Sequence, residues 1–235
     1  MIKKIALCLL VAPCVAFAAF DNCLNDFPNQ QVPVTQERGR DLCFEGFAVY
    51  YSPTQKKPIY TVEVLNQGLL AIAPQERTNM FYEEARLPAV ERSYLSDYRG
   101  SGWDRGHNSE AATKRTPEAM AESFSLANMA PQAPDFNRGI WAKDVEKATR
   151  KYAQRASGNV FVFTGTTGNS GTIGRSHVVV PQYFFKLVYD QSANRAWAYW
   201  LPNTNDARMS REAIISYQEL VLRTGINFNI GSLSN

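Results

Sequence analysis

Asp104-Arg105-Gly106-His107, then Ser125-Leu126-Ala127-Asn128-Met129-Ala130-Pro131-Gln132, then Phe136-Asn137-Arg138-Gly139-Ile140-Trp141, are the stretches on which the chain's fold and chemistry turn. His107 is one of only two histidines. A lone histidine is as often structural as catalytic, so its neighbours decide. Asp104 can orient an adjacent side chain, Arg105 offers a two-pronged donor to phosphate, and Gly106 lets backbone approach closely. A neutral imidazole can take a proton from water near neutral pH, an effect typically worth ~10²–10⁴ in rate. Asn128 and Asn137 can present carbonyl oxygens to a hard cation. Magnesium keeps most of its waters and takes few protein ligands, so a single asparagine can suffice. The pattern points to metal-assisted phosphodiester chemistry.

Competing arrangements are missing. Gly168-Asn169-Ser170-Gly171 only superficially resembles a nucleophile elbow, which disfavours a serine hydrolase of that type. No glycine loop ends in Lys-Ser/Thr, so phosphate-loop nucleotide hydrolysis is excluded. Two histidines without nearby cysteines do not make a zinc site.

In this order and spacing, the three stretches resemble the signature of the DNA/RNA non-specific endonucleases, the ββα-metal or His-Me finger family. The similarity runs from about Phe47 to Tyr189, adding Phe163-Thr164-Gly165 and Val180-Pro181-Gln182-Tyr183-Phe184-Phe185-Lys186. The resemblance implies an α+β fold, mainly antiparallel sheet with flanking helices. It implies a Mg²⁺-dependent endonuclease, with Mn²⁺ as the substitute ion, that cuts DNA and RNA with little sequence preference and leaves 5′-phosphate ends. His107 matches the general base and Asn137 the metal ligand. Arg105 matches an arginine near the phosphate, Arg77 the arginine stabilising the pentacovalent phosphate, and Asn128 a supporting asparagine on the substrate side with Asp104. A degenerate member that binds nucleic acid or a partner without cutting is the alternative.

Two departures stand out. In the usual pattern a glutamate follows the tryptophan by four positions, and an arginine follows the glutamate by four. Here Val145 holds the first position, and Glu146 and Arg150 keep their mutual spacing one residue late. We assign them the catalytic and substrate-binding roles, with a solvated ion pair as the alternative. One residue turns a side chain by about 100° on an α-helix, so this assignment requires a helix irregularity. The second departure is Asn108-Ser109-Glu110-Ala111-Ala112, where the family commonly has a proline three residues after the histidine. Glu110 is expected to face solvent.

Outward from the centre, Thr116-Pro117-Glu118 predicts a short helix over Pro117–Glu122. Phe124 to Met129 reads as extended. Asn137 reads as the N-cap of a helix over roughly 138–156, ended by Gly158. Phe44 to Ser52 and Pro58 to Asn66 predict a hairpin. Val160–Gly165, Val178–Tyr189 and Ala196–Leu201 predict strands, and Ser210–Thr224 predicts an amphipathic helix closed by Gly225. His177 lies outside every motif and suits a structural or surface role. Lys143, Lys147, Lys151 and Arg155 suit a solvated helix face, part of which can track a phosphate backbone.

The 235 residues, with 45% hydrophobic and 20% charged, suit a globular domain. Residues 1–18 carry a basic start at Lys3-Lys4, an apolar run and Ala16-Phe17-Ala18, and read as a signal peptide. Its removal would take two lysines and lower the formal charge from +3 to +1, leaving no global pull toward nucleic acid. The expected location is secreted or periplasmic, with no membrane span. Cys23 and Cys43 then read as one disulfide, worth roughly 3 kcal/mol in loop entropy, with two reduced thiols as the alternative. The division is 19–43 as an N-terminal arm tied by the disulfide, irregular from Ala19 to Arg40, and 44–235 as a single domain. The oligomeric state is open, a homodimer included.

Overall fold

The computed structural model describes residues 20–233; the expected signal peptide lies outside them. Strands β1 (Arg40–Phe44), β2 (Phe47–Ser52) and β3 (Lys57–Leu65) form an antiparallel meander. β2 and β3 are the expected hairpin. β1 begins at Arg40, where the irregular arm was expected to end: Gly46 takes φ +75°, which closes a two-residue turn and lets Phe44 pair with Phe47. β4 (Asp104–His107) and β5 (Met129–Gln132) pair as a separate ribbon. β6 (Val160–Thr167) returns to β3, and β7 (Thr172–Ile173) pairs with β8 (Val178–Val179) as a small flap. β9 (Tyr183–Asp190), β10 (Arg195–Pro202) and β11 (Ile214–Ile215) complete a seven-stranded antiparallel sheet in the order β1-β2-β3-β6-β9-β10-β11. The α+β expectation holds.

Three further readings need correction. The stretch 124–129 is not extended, because a tight turn at Leu126–Asn128 precedes β5. The helix expected from 138 starts earlier, at Pro134, so Asn137 sits inside it and is no cap. At the C-terminal end only Tyr217–Thr224 is helical, with Ser216 capping and Gly225 closing it at φ +67°. The Thr116 cap and the helix Pro117–Glu122 are as expected, with the threonine hydroxyl accepting from Ala119 N–H.

The sheet is covered on both faces. Phe20 and Phe27 from the arm, with Leu220, Phe228 and Ile230 from the C-terminal segment, pack on Tyr60, Val62, Phe163 and Phe185. On the other face Phe136, Trp141 and Val145 pack on Val162, Phe184 and Val188. That second face also carries Thr61, Glu63, Thr164 and Lys186, all buried. Strand alternation, which in a sequence suggests one wet face, here places a polar row beneath the helix. Among the described residues no helix is long and apolar enough to cross a membrane.

A disulfide joins Cys23 to Cys43 and ties the arm to β1. Replacing both cysteines by serine should lower the unfolding free energy by about 2–4 kcal/mol in urea titration. A loss below about 0.5 kcal/mol would mean that packing of Phe20 and Phe27 holds the arm unaided.

Candidate active site

His107 ends β4 opposite Met129. The neighbouring Gly106 is required by packing: a Cβ there would lie 2.2 Å from Gln132 Oε1 and 2.6 Å from its Cβ. Two aromatic rings fix the imidazole, Phe124 edge-on at 5.0 Å and Phe81 at 5.8 Å. His107 is only 8% exposed, and its Nε2 has no hydrogen-bond partner among the described residues. Burial, then the cations Arg77, Lys114 and Arg105, push its pKa down to about 3. The ring is therefore neutral across the ordinary pH range, and a phosphate entering the cleft would offset those cations and strengthen it as a base.

Arg77, Arg105, His107, Glu110, Asn137, Arg138 and Glu146 line one cleft of about 230 Å³. Arg105 lies 4.2 Å over Phe81, and its buried Nε has no partner. Arg77 lies 5.0 Å over Phe124 and donates to Asn79 at 2.7 Å. The loop 77–81 thus supplies one cation and the ring that supports both His107 and Arg105.

Asp104 does not line the cleft. Its carboxylate accepts from Asn137 Nδ2 at 2.9 Å and from the Arg138 fork at 2.5 and 2.8 Å. It corrects the substrate-side expectation: Asp104 orients Asn137. With the amide NH₂ committed to Asp104, the Asn137 carbonyl oxygen is left to accept or ligate. Among the described residues no three His, Cys, Asp or Glu side chains gather as a metal cage. The Asn137 carbonyl oxygen is a hard donor, of the kind a divalent cation takes.

Asn128 is also corrected. It is fully buried, accepts from Ser109 N–H at 2.9 Å, and donates to the carbonyls of Ser109 and Ser123 at 2.8 and 2.9 Å. All three bonds go to backbone, so it shapes the turn after His107 and presents nothing to substrate.

The helix irregularity is present. Asn137–Glu146 is π-helical, with Gly139 outside helical geometry, and the chain returns to α-helix at Lys147–Ala153. Residues nine apart lie on opposite sides of a regular α-helix. The wider i→i+5 turn absorbs the extra residue, so Asn137 and Glu146 both reach the cleft while Trp141 and Val145 stay in the core.

Glu110 does not face solvent. It is 4% exposed and ion-paired with Arg150, which itself is absent from the cleft lining. The expectation of a solvated Glu110 is corrected by this burial, and the pair sets Arg150 on Glu110. Burial, and then the like charge of Glu110, raise the Glu146 carboxyl well above its usual range against Lys186 and Arg150. Burial likewise raises Glu110, against Arg150 and Lys186.

Behind the cleft, Lys114 bonds Glu63 at 3.0 Å and Ser109 Oγ at 2.6 Å, and Thr113 donates to Glu63 at 2.6 Å. Burial would raise Glu63, but Lys114, Lys186 and these bonds hold it below its ordinary value. Lys186 is fully buried and donates to Thr164 at 2.6 Å. Glu63, Lys114, Arg138 and Lys186 escaped assignment in the sequence. The single available signal was a charge at an alternating strand position, as for Glu63 and Lys186. His177 is exposed in a turn, at φ +57°.

A family model described as DNA/RNA non-specific endonuclease matches residues 25–234. Mitochondrial endonuclease G of Homo sapiens is 34% identical over 175 residues, 68% of this chain and 58% of that protein. Mitochondrial nuclease 1 of Schizosaccharomyces pombe is 33% identical over 183 residues, 67% of this chain and 55% of its own length. The chain thus spans little more than half of these relatives. A crystal structure of an EndoG/EndoGI complex aligns at TM-score 0.72 with 24% identity, over 82% of this chain and 86% of that one, which bears on the fold alone. These relatives are named as mitochondrial proteins, which overturns the expected secreted or periplasmic location.

Between its ordinary value of 6.5 and about 3, the unfolded chain holds a proton at residue 107 that the folded chain does not. This stabilising contribution is complete above pH 6.5 and is lost as pH falls through that window. Wild type should therefore lose more unfolding free energy than His107→Gln between pH 7 and about 4.5. Parallel losses would show that the imidazole is not held neutral by the fold.

Proposed function

The chain belongs to the DNA/RNA non-specific endonuclease family, and from that premise we propose that it is a magnesium-dependent endonuclease of DNA and RNA. The observation that carries this reading is the unpartnered Nε2 of buried His107 in one cleft with Asn137, Arg77 and Arg105. In this reading Nε2 accepts a proton from water as the water attacks phosphorus in line. Arg77 and Arg105 bear on the non-bridging oxygens, with charge-assisted donors for the extra negative charge of the pentacovalent phosphate. Asn137, held by Asp104, would ligate the metal. When bound, the ion neutralises charge on the phosphate and on the departing oxygen. Glu146 supplies an acceptor for cleft water beside it. Residues 44–235 act as one catalytic unit, with the preceding arm as structural support.

Weak sequence preference follows where contacts go to phosphate and sugar, which carry no direct sequence information. The test is digestion of plasmid and of total RNA with magnesium, with manganese and with EDTA. We expect cleavage with the ions and none with chelator. His107→Ala should lower the rate by ~10²–10⁴. Full activity in that variant would sink the assignment of the base. Nucleic-acid binding that persists in EDTA, with no cleavage under any divalent ion, would mark the protein as a binder instead.

A further inference from the structure

Glu146 and Arg150 are four residues apart at the α-helical end of their helix, where a glutamate and a following arginine ordinarily pair. Here they do not. Arg150 gives its guanidinium to Glu110, forty positions away on the turn after His107. Glu146 makes no hydrogen bond or ion pair among the described residues, although it lines the cleft. The pair that Arg150 does make is well shielded: the Glu110 side chain is 5% exposed and that of Arg150 24%.

We propose that Glu110 is a positioning residue, which holds Arg150 off Glu146 and so leaves the Glu146 carboxyl group without an ion-pair partner at the cleft. The physical case is a competition. Two carboxylates stand near one arginine, and an arginine fork satisfies one of them at full strength. The partner that wins is the one buried more deeply, because leaving Glu110 charged without a counter-ion would cost more than leaving Glu146 beside open space. Two of the other cations near the site hydrogen-bond elsewhere: Lys186 to Thr164, and Lys114 to Glu63 and Ser109. Lys186, Lys114 and Arg115 also lie within electrostatic reach of Glu110, but the ion pair that Glu110 makes is with Arg150. The glutamate that departs from the family pattern and the displaced Glu146 thus form one unit. The π-helical turn brings Glu146 to the cleft, and Glu110 keeps it available there.

This inference rests on the proposed hydrolysis at this cleft, and its test separates the two. In a crystal structure of Glu110→Ala, Arg150 should turn onto Glu146 within hydrogen-bonding distance. That result can be read whether or not the protein cuts DNA, whereas unchanged cleavage in His107→Ala would fail the hydrolytic reading alone. At saturating plasmid, Glu110→Ala should lose about tenfold in kcat, with KM within about twofold, since the contact that is lost acts on the reacting state. Adding Arg150→Ala to Glu110→Ala should recover most of that loss, because nothing is left to capture Glu146. A merely structural ion pair would show its loss in the melting temperature, with kcat intact well below it. If Glu110→Ala does not fold, Glu110→Gln keeps the shape and removes the charge, and should show the same re-pairing and the same split. Arg150 remaining off Glu146, kcat within about twofold of wild type, or a double variant no faster than the single would each overturn the proposal.

Discussion

One extra residue between Trp141 and Glu146 is the constraint that the site depends on. Trp141 must stay between Phe136 and Phe184, at 5.5 Å from each ring, or the sheet face beneath it loses its cover. Asn137 must stay on the Asp104 carboxylate. With both fixed, an α-helix would carry Glu146 away from Asn137. The π-helical turn keeps all three positions, and it does so by giving up the tighter i→i+4 bonding along Asn137–Glu146.

Beneath that helix the sheet presents charge instead of hydrocarbon. Glu63 and Lys186 are buried on the face that packs under the site, and Lys114 reaches in from the turn after His107. Each charge has a partner or a hydroxyl, so the row is tolerable in a dry interior. Its consequence is electrostatic. Burial, with the cations, holds the His107 pKa down, while burial, with the charge of Glu110, holds that of Glu146 up, so these two groups of the cleft are driven apart in opposite directions.

Much of this was legible beforehand. The Thr116 cap, the β2–β3 hairpin and the Gly225 terminus are set by bonding within a few residues, and local sequence is enough to show them. Arg105, His107 and Asn137 could be picked out by residue type and order, and the structure gathers them in one cleft. The partner of Arg150 could not be read from i,i+4 spacing, a local rule, because Glu110 lies forty positions away in the chain. Asn128 looked like a ligand because an amide serves a cation and a backbone turn with the same atoms.

The sequence by itself determined which groups are available: a histidine between charges, an asparagine downstream, and a glutamate one position out of step. These are matters of composition and order, and no folding alters them. Only the tertiary structure decided which way each group faces and what it is paired with. Burial and pairing are sums over neighbours distant in the chain, so the solvated Glu110 became an interior acid, and the displaced Glu146 reached the cleft through a turn that spacing required but could not supply.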